Sequence, residues 1–313
     1  MTGLELSRRF YEDCGRPMLE AEFSRLLPYM AVGLFGSGSE CFGYDDAVSK
    51  DHDFEPGFCV FLPGEDIVSR RDAFLLERAY AKLPKTFLGC ERQRLLPVGG
   101  ARHGIFRTKD FFLRTAGTED GRLDLTQWLS MPEQALCEAT NGCIFFDSYG
   151  EVSAIRERLS CFPEDIRLKR LAGNLLLMAQ SGQYNYERCL RHREASAAQL
   201  ALIEFVKSSI SVIFLLNRRY QPFYKWVFRA LRELPALSSL EEELSFLLTG
   251  DNAPDRAGRK AEAVEAVSSA IVEALGQQQL SKASGPDLEA HAYSVNDRIT
   301  DASLRNLHIL AAV

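Results

Sequence analysis

Strand-forming patterns in this 313-residue chain stop near residue 150, while helical patterns run on almost to its end. Three short apolar runs are each closed by turn-forming residues. They are Met30-Ala-Val-Gly-Leu-Phe35 before Gly36-Ser-Gly-Ser39, Phe58-Cys-Val-Phe-Leu62 before Pro63-Gly64, and Ile144-Phe-Phe146 before Asp147-Ser-Tyr-Gly150. Runs of this length and bounding read as buried strands. A hairpin is expected from Leu95-Leu96 through Pro97-Val-Gly-Gly100 into Gly104-Ile-Phe106, and Arg122-Leu-Asp-Leu-Thr126 alternates like a further strand. Helices are predicted over 4–27, interrupted at Gly15 and Pro17, and over 72–83 and 132–139, with Phe74, Leu75, Leu76 and Tyr80 facing the core. Beyond Val152 the spacing predicts helices over 152–159, 164–181, 186–217, 222–234, 240–248, 260–275 and 302–311. Strands in one half and helices in the other give an α+β chain. Its expected parts are a small mixed sheet with helices (1–149) and an all-helical domain (150–313).

Composition narrows the function classes. The net charge is −6, which argues against an extended nucleic-acid surface. The charge is uneven, however: residues 165–232 hold twelve Arg or Lys against four Asp or Glu. Such a surplus is either a solvated helix face or a surface turned toward a polyphosphate. The eight cysteines are scattered without a C-x-x-C pair, as free thiols are in a reducing compartment. The N-terminal residues lack an apolar signal segment, and the apolar stretch 200–216 is interrupted by Glu204 and Lys207. The expectation is a cytoplasmic protein with no membrane span.

Several motifs fail on inspection. Gly36-Ser-Gly-Ser-Glu-Cys41 lacks the last glycine of G-x-G-x-x-G, no Gly-Lys-Ser/Thr follows it, and neither serine sits in G-x-S-x-G. The five histidines are isolated, so a zinc site of imidazoles is not expected, and His103 beside Gly104 reads as a turn residue.

What survives is Leu34-Phe-Gly-Ser-Gly-Ser-Glu-Cys-Phe-Gly43, then Asp51-His-Asp53, then Leu123-Asp-Leu125. A strand that ends in Gly-Ser and turns into a short helix exposes backbone N–H groups to phosphate oxygens. Asp51 and Asp53, two apart on an extended segment, point to one face. Two carboxylates that close repel unless a cation intervenes, and hard oxygen ligands suit Mg²⁺, with Mn²⁺ as its substitute. Asp124 could supply a third carboxylate, as metal ligand or general base.

The order of these motifs resembles the polymerase-beta-like nucleotidyltransferase superfamily, with its GS…DxD…D arrangement. More closely, Gly36-Ser-Gly-Ser-Glu-Cys-Phe-Gly-Tyr-Asp-Asp46 followed by Asp51-His-Asp-Phe54 resembles a bacterial family of unknown function placed in that superfamily. Thr140-Asn-Gly142, Gly182-Gln-Tyr-Asn185 with Arg188, and Pro222-Phe-Tyr-Lys-Trp226 share in it, so it covers most of residues 1 to about 235. The resemblance implies a small nucleotidyltransferase domain followed by a helical one, as in aminoglycoside and minimal nucleotidyltransferases. It places Gly36 and Ser37, with Ser39 and Glu40 in the same turn, on the nucleotide, and Asp51, Asp53 and Asp124 on Mg²⁺. Arg188 and Lys225 are the nucleotide contacts expected from the helical part. The spacing from Gly36-Ser37 to Asp51 is longer than in the minimal enzymes, and Pro56-Gly57 interrupts the strand after the acids.

The activity implied is Mg²⁺-dependent transfer of a nucleoside monophosphate, AMP from ATP first of all, to a hydroxyl of an unidentified small-molecule or protein acceptor. The competing expectations are a nucleotide-binding regulator without turnover and a toxin–antitoxin-type module.

Overall fold

A computed structural model of the chain describes residues 1–46, 54–92 and 102–313. The fold is α+β. It divides into two compact units, Met1–Leu123 with Met131–Ser160, and Asp124–Ser130 with Cys161–Val313.

The first unit opens with α1 (Gly3–Phe10), a π-helical turn (Tyr11–Gly15) and α2 (Arg16–Glu22). The predicted interruption is therefore one wide turn rather than a break. Gly15 explains it: a side chain there would overlap the Phe58 ring, so the turn widens where that ring meets the backbone. Thr2 caps α1 through a capping box with Glu5.

The sheet is built from β1 (Ala31–Leu34), β2 (Cys59–Leu62), β5 (Gly104–Arg107) and β6 (Cys143–Asp147). Two residues of β3 (Thr86–Phe87) pair with β4 (Cys90–Glu91) outside it. The sheet order is β5-β2-β1-β6. β1 runs antiparallel to β2 and β6, whereas β5 lies parallel to β2. A parallel neighbour requires a crossover, and α4 (Arg70–Ala81) lies within it. Gly33 lets the β6 backbone approach where the β1–β6 register shifts. The segment 95–100 of the expected hairpin lies outside the described residues; its second arm is β5.

Register decides where a site can form. Gly33 faces Cys59 across the antiparallel pair, and Cys59 faces Gly104 across the parallel one. The end of β1 and the starts of β2 and β5 therefore meet at one end of the sheet. Behind them Phe35 stacks on Phe61 at 4.7 Å, and Phe111 meets both rings edge-on. Phe111 belongs to α5 (Thr108–Ala116).

Two expectations are corrected here. In α4 the buried face is Leu76, Ala79, Tyr80 and, just beyond it, Leu83, at helical spacing, which leaves Phe74 and Leu75 exposed at 56% and 41%. Residues 122–126 form no strand. Leu125 opens α6 (Leu125–Ser130), a helix of the second unit. Asp124 Oδ1 accepts from Gln127 N at 2.8 Å while Gln127 Oε1 accepts from Asp124 N at 2.9 Å, a reciprocal cap that stops any strand from continuing.

The first unit closes with α7 (Glu133–Thr140) and α8 (Glu151–Arg158). The second unit is helical: α9 (Glu164–Met178), a π-helical segment (Ala179–Tyr186), α10 (Glu187–Arg191), α11 (Ala195–Leu216), α12 (Tyr224–Arg232), α13 (Glu241–Thr249), α14 (Pro254–Gln277), α15 (Leu288–Asn296) and α16 (Ala302–Asn306). The predicted helix over 302–311 thus ends early, and α15 was not expected. α11 is long and apolar enough to cross a membrane, but 61% of its most apolar window is buried inside the protein, as in a core helix. Gly182 lies under the Phe205 ring of α11, repeating the Gly15–Phe58 contact in the other π-helical segment.

Candidate functional site

A cleft of about 400 Å³ opens in the first unit where β1 ends. Its walls include Gly36, Ser37, Glu40, Cys41, Arg102, His103, Phe111, Arg114 and Glu138. Three of the residues singled out in the sequence, Gly36, Ser37 and Glu40, are thus together in one concavity.

The turn that carries them is held from three sides. Gly36 and Gly38 have φ of 126° and 128°, conformations that only glycine adopts without strain. Asn141 grips Gly36 twice: its Oδ1 accepts from Gly36 N at 2.9 Å and its Nδ2 donates to Gly36 O at 2.8 Å. Asn141 is fixed in turn by Arg156, whose Nη2 donates to the carbonyls of Thr140 and Asn141 at 2.7 and 2.6 Å. The Arg156 guanidinium lies 4.4 Å from the Phe35 ring centroid, and burial pushes its pKa down to about 10. Gly142 N donates to Cys41 O, which ties the same corner to the short helix α3 (Ser39–Phe42). So Thr140-Asn-Gly142 is the clamp of the Gly36 turn.

Arg102 is the third support. Its Nη2 donates to Ser37 O at 2.7 Å and pairs with the Glu40 carboxylate, and its guanidinium fills the space that a side chain at Gly38 would take. Glu40 is buried at 7% exposure, so this ion pair neutralises a carboxylate that could not stay charged alone. Arg114 stands on the same cleft with its guanidinium 5.8 and 5.9 Å from the Phe106 and Phe111 rings. It is exposed and makes no ion pair among the described residues.

His103 is not a mere turn residue. Its side chain is almost buried over Gly57, and Nδ1 lies 3.1 Å from Glu55 Oε1. An imidazole oriented by a carboxylate at the edge of a cleft has the arrangement of a general base. No local motif marks this pair, because Glu55 is separated from His103 by 48 positions and is brought to it by the parallel β2–β5 pairing. The cysteines offer no nucleophile here: burial pushes the Cys59 thiol up to about 12 and raises that of Cys41. All eight cysteines are free.

Asp51 and Asp53 fall outside the described residues, and among the described residues no group of three His, Cys, Asp or Glu side chains could hold a metal ion. Ser39 begins α3, where its carbonyl accepts from Tyr44 N at 2.8 Å. Asp124, Arg188 and Lys225 belong to the second unit. Asp124 caps α6. Arg188 is exposed and donates to Tyr184 Oη at 3.1 Å, and Lys225 is exposed over the Trp226 ring at 5.0 Å.

A family profile described as a domain of unknown function, DUF4037, matches residues 128–227, from α6 to α12. Among curated proteins, none matches the chain.

Proposed function

We propose that the first-unit cleft binds the phosphates of an NTP and that the protein is a Mg²⁺-dependent nucleotidyltransferase of the polymerase-beta-like type. ATP is the first candidate donor and a hydroxyl group the acceptor. The observation that carries this reading is the clamped Gly36-Ser37-Gly38 turn, which ends a strand and faces a cleft with two guanidiniums. A rigid turn with glycine on either side of Ser37 lets a phosphate approach the backbone closely, and rigidity is what positions it for in-line attack.

In this reading Asp51 and Asp53 hold the Mg²⁺ that neutralises the triphosphate. Hard carboxylates two residues apart suit that ion, which keeps waters and phosphate oxygens as its other ligands. The metal supplies charge neutralisation of the leaving pyrophosphate. Ser37 contacts phosphate, and His103, oriented by Glu55, accepts the proton of the acceptor hydroxyl. Asp124, whose Oδ1 serves as the cap of α6, is not needed for that step.

The test is thermal. A ligand at a hundred times its dissociation constant stabilises by about 2.7 kcal/mol, which for a chain of this size is a melting shift of several degrees. The parent should show this shift with Mg-ATP, and Asp53→Asn should lose most of it. A full shift in Asp53→Asn removes the metal site from the account.

A further inference from the structure

His103 lines two cavities of the first unit: the cleft at the Gly36 turn and a second one of about 330 Å³. Its side chain keeps 8% of its surface exposed, and Nδ1 lies 3.1 Å from Glu55 Oε1. A carboxylate accepts and does not donate, so in the neutral imidazole the proton sits on Nδ1 and Nε2 carries a lone pair. Nε2 has no hydrogen-bond partner among the described residues. The second cavity also has a fixed cation. Arg92 is half-buried, its Nη1 donates to the carbonyls of Tyr80 and Leu83 at 3.3 Å, and its guanidinium lies 4.9 and 5.5 Å from the Tyr80 and Phe10 ring centroids. Those contacts hold the group in place and leave Nε and Nη2 without a partner among the described residues. Of the carboxylates on this cavity, Glu55 is engaged by His103 and Glu77 is exposed on α4. A solvated charge is screened, whereas a held, half-buried guanidinium attracts a counter-ion more strongly. The Tyr80 hydroxyl is spent on the protein: it donates to Phe58 O at 2.8 Å and accepts from Phe58 N at 3.0 Å.

We propose that the second cavity seats the acceptor of nucleotidyl transfer, and that this acceptor is a small hydroxy acid whose carboxylate pairs with Arg92 and whose hydroxyl meets His103 Nε2. This rests on the nucleotidyltransferase reading and deepens it by naming the class of acceptor. A planar guanidinium pairs with a carboxylate through parallel hydrogen bonds, which fixes orientation as well as charge. Pro56, Ile105 and the Tyr80 ring give the cavity an apolar wall for the carbon body between the two groups. In the transfer the acceptor oxygen bonds to the α-phosphorus of an ATP held in the first cleft, and its proton passes to His103 Nε2. The bond from the α-phosphorus to the bridging oxygen breaks, and its electron pair leaves on pyrophosphate. The products are the nucleotidyl phosphodiester of the hydroxy acid and pyrophosphate.

The probe is the low-molecular-weight fraction of a cell extract, separated by ion exchange into anionic, neutral and cationic pools. Each pool is incubated with the full-length protein, Mg²⁺ and α-labelled ATP. Label should enter a compound of the anionic pool. Arg92→Gln should raise the apparent KM for that pool roughly ten- to a hundredfold, the loss of a charge-assisted contact, with kcat near that of the parent. Ala81→Trp places a large ring on the cavity wall and should abolish the transfer. Both variants should keep the Mg-ATP melting shift of the parent, because neither residue lines the first cleft. Ala81 is exposed at the end of α4, so its variant tests the cavity even if a change at Arg92 unsettles the fold. Parental transfer in Ala81→Trp, an unchanged KM in Arg92→Gln, or label that enters only the neutral or cationic pool, or none, overturns the acceptor site. A parent without any Mg-ATP melting shift contradicts the nucleotide reading itself, whereas a parent that shows the shift and labels no anionic compound contradicts the acceptor site alone.

Discussion

Asn141 hydrogen-bonds both backbone polar groups of Gly36, acting as a side-chain imitation of a strand partner at the point where β1 has run out. The pair joins residues 105 positions apart and fixes the backbone at the mouth of the cleft. Asn141→Asp keeps an acceptor for Gly36 N but sets a carboxylate against Gly36 O. Leaving a part-buried carbonyl unsatisfied costs about 1–3 kcal/mol. The melting temperature of Asn141→Asp should fall by a few degrees, and the Mg-ATP melting shift should shrink with it as the turn loosens. An unchanged melting temperature would show that water replaces the amide without loss.

The strands and their turns were legible because each is a short apolar run bounded by Gly or Pro, and β1, β2 and β6 fall where the pattern placed them. The clamp was visible only in outline: Thr140-Asn-Gly142 stood out, but its role depends on β6 lying beside β1. Arg102 and His103 were not legible at all, since β5 reaches the site through a crossover that local pattern does not encode. Leu123-Asp-Leu125 misled for a specific reason. Alternation over so few residues is weak, and Asp124 with Gln127 is a helix-start signal that outweighs it. Gly15 read as a helix breaker, whereas it sits, as Gly182 does, under a phenylalanine ring inside a continuous helical run.

Two helix glycines in different surroundings should respond to alanine in opposite directions. Gly→Ala inside a helix ordinarily stabilises by up to about 1 kcal/mol. Gly276 in α14 has open space around it, so Gly276→Ala should raise the melting temperature slightly. At Gly182 an added methyl would strike the Phe205 ring. Overpacking of this kind costs roughly 1–3 kcal/mol. Gly182→Ala should therefore lower the melting temperature, and a rise at both positions would refute the packing argument.

Glu164 supplies an acid-sensitive contact in the second unit. The hydrogen bond from buried Arg167 comes first in holding its carboxyl down to about 2, and Arg218 adds to it at 2.8 Å. A depressed carboxylate stabilises above its unfolded pKa of about 4.3, and that contribution is lost as pH falls toward the folded value. Between about pH 4.3 and 2 the parent should lose stability more steeply than Glu164→Gln. The carboxylate is partly exposed, which tempers the size of the effect. Identical acid limbs in melting-temperature profiles of the two proteins would contradict this role.

In the proposed reaction an NTP donates its α-phosphoryl group, with its nucleoside, while pyrophosphate leaves. Parallel incubations of the protein with Mg²⁺, a cell extract and ATP labelled at either the α- or the γ-phosphate test it most directly. A new labelled species is expected from α-labelled ATP only, lost in Asp53→Asn, with the γ-label recovered as pyrophosphate. Transfer of the γ-label to the acceptor, or no new species from either ATP, would contradict it.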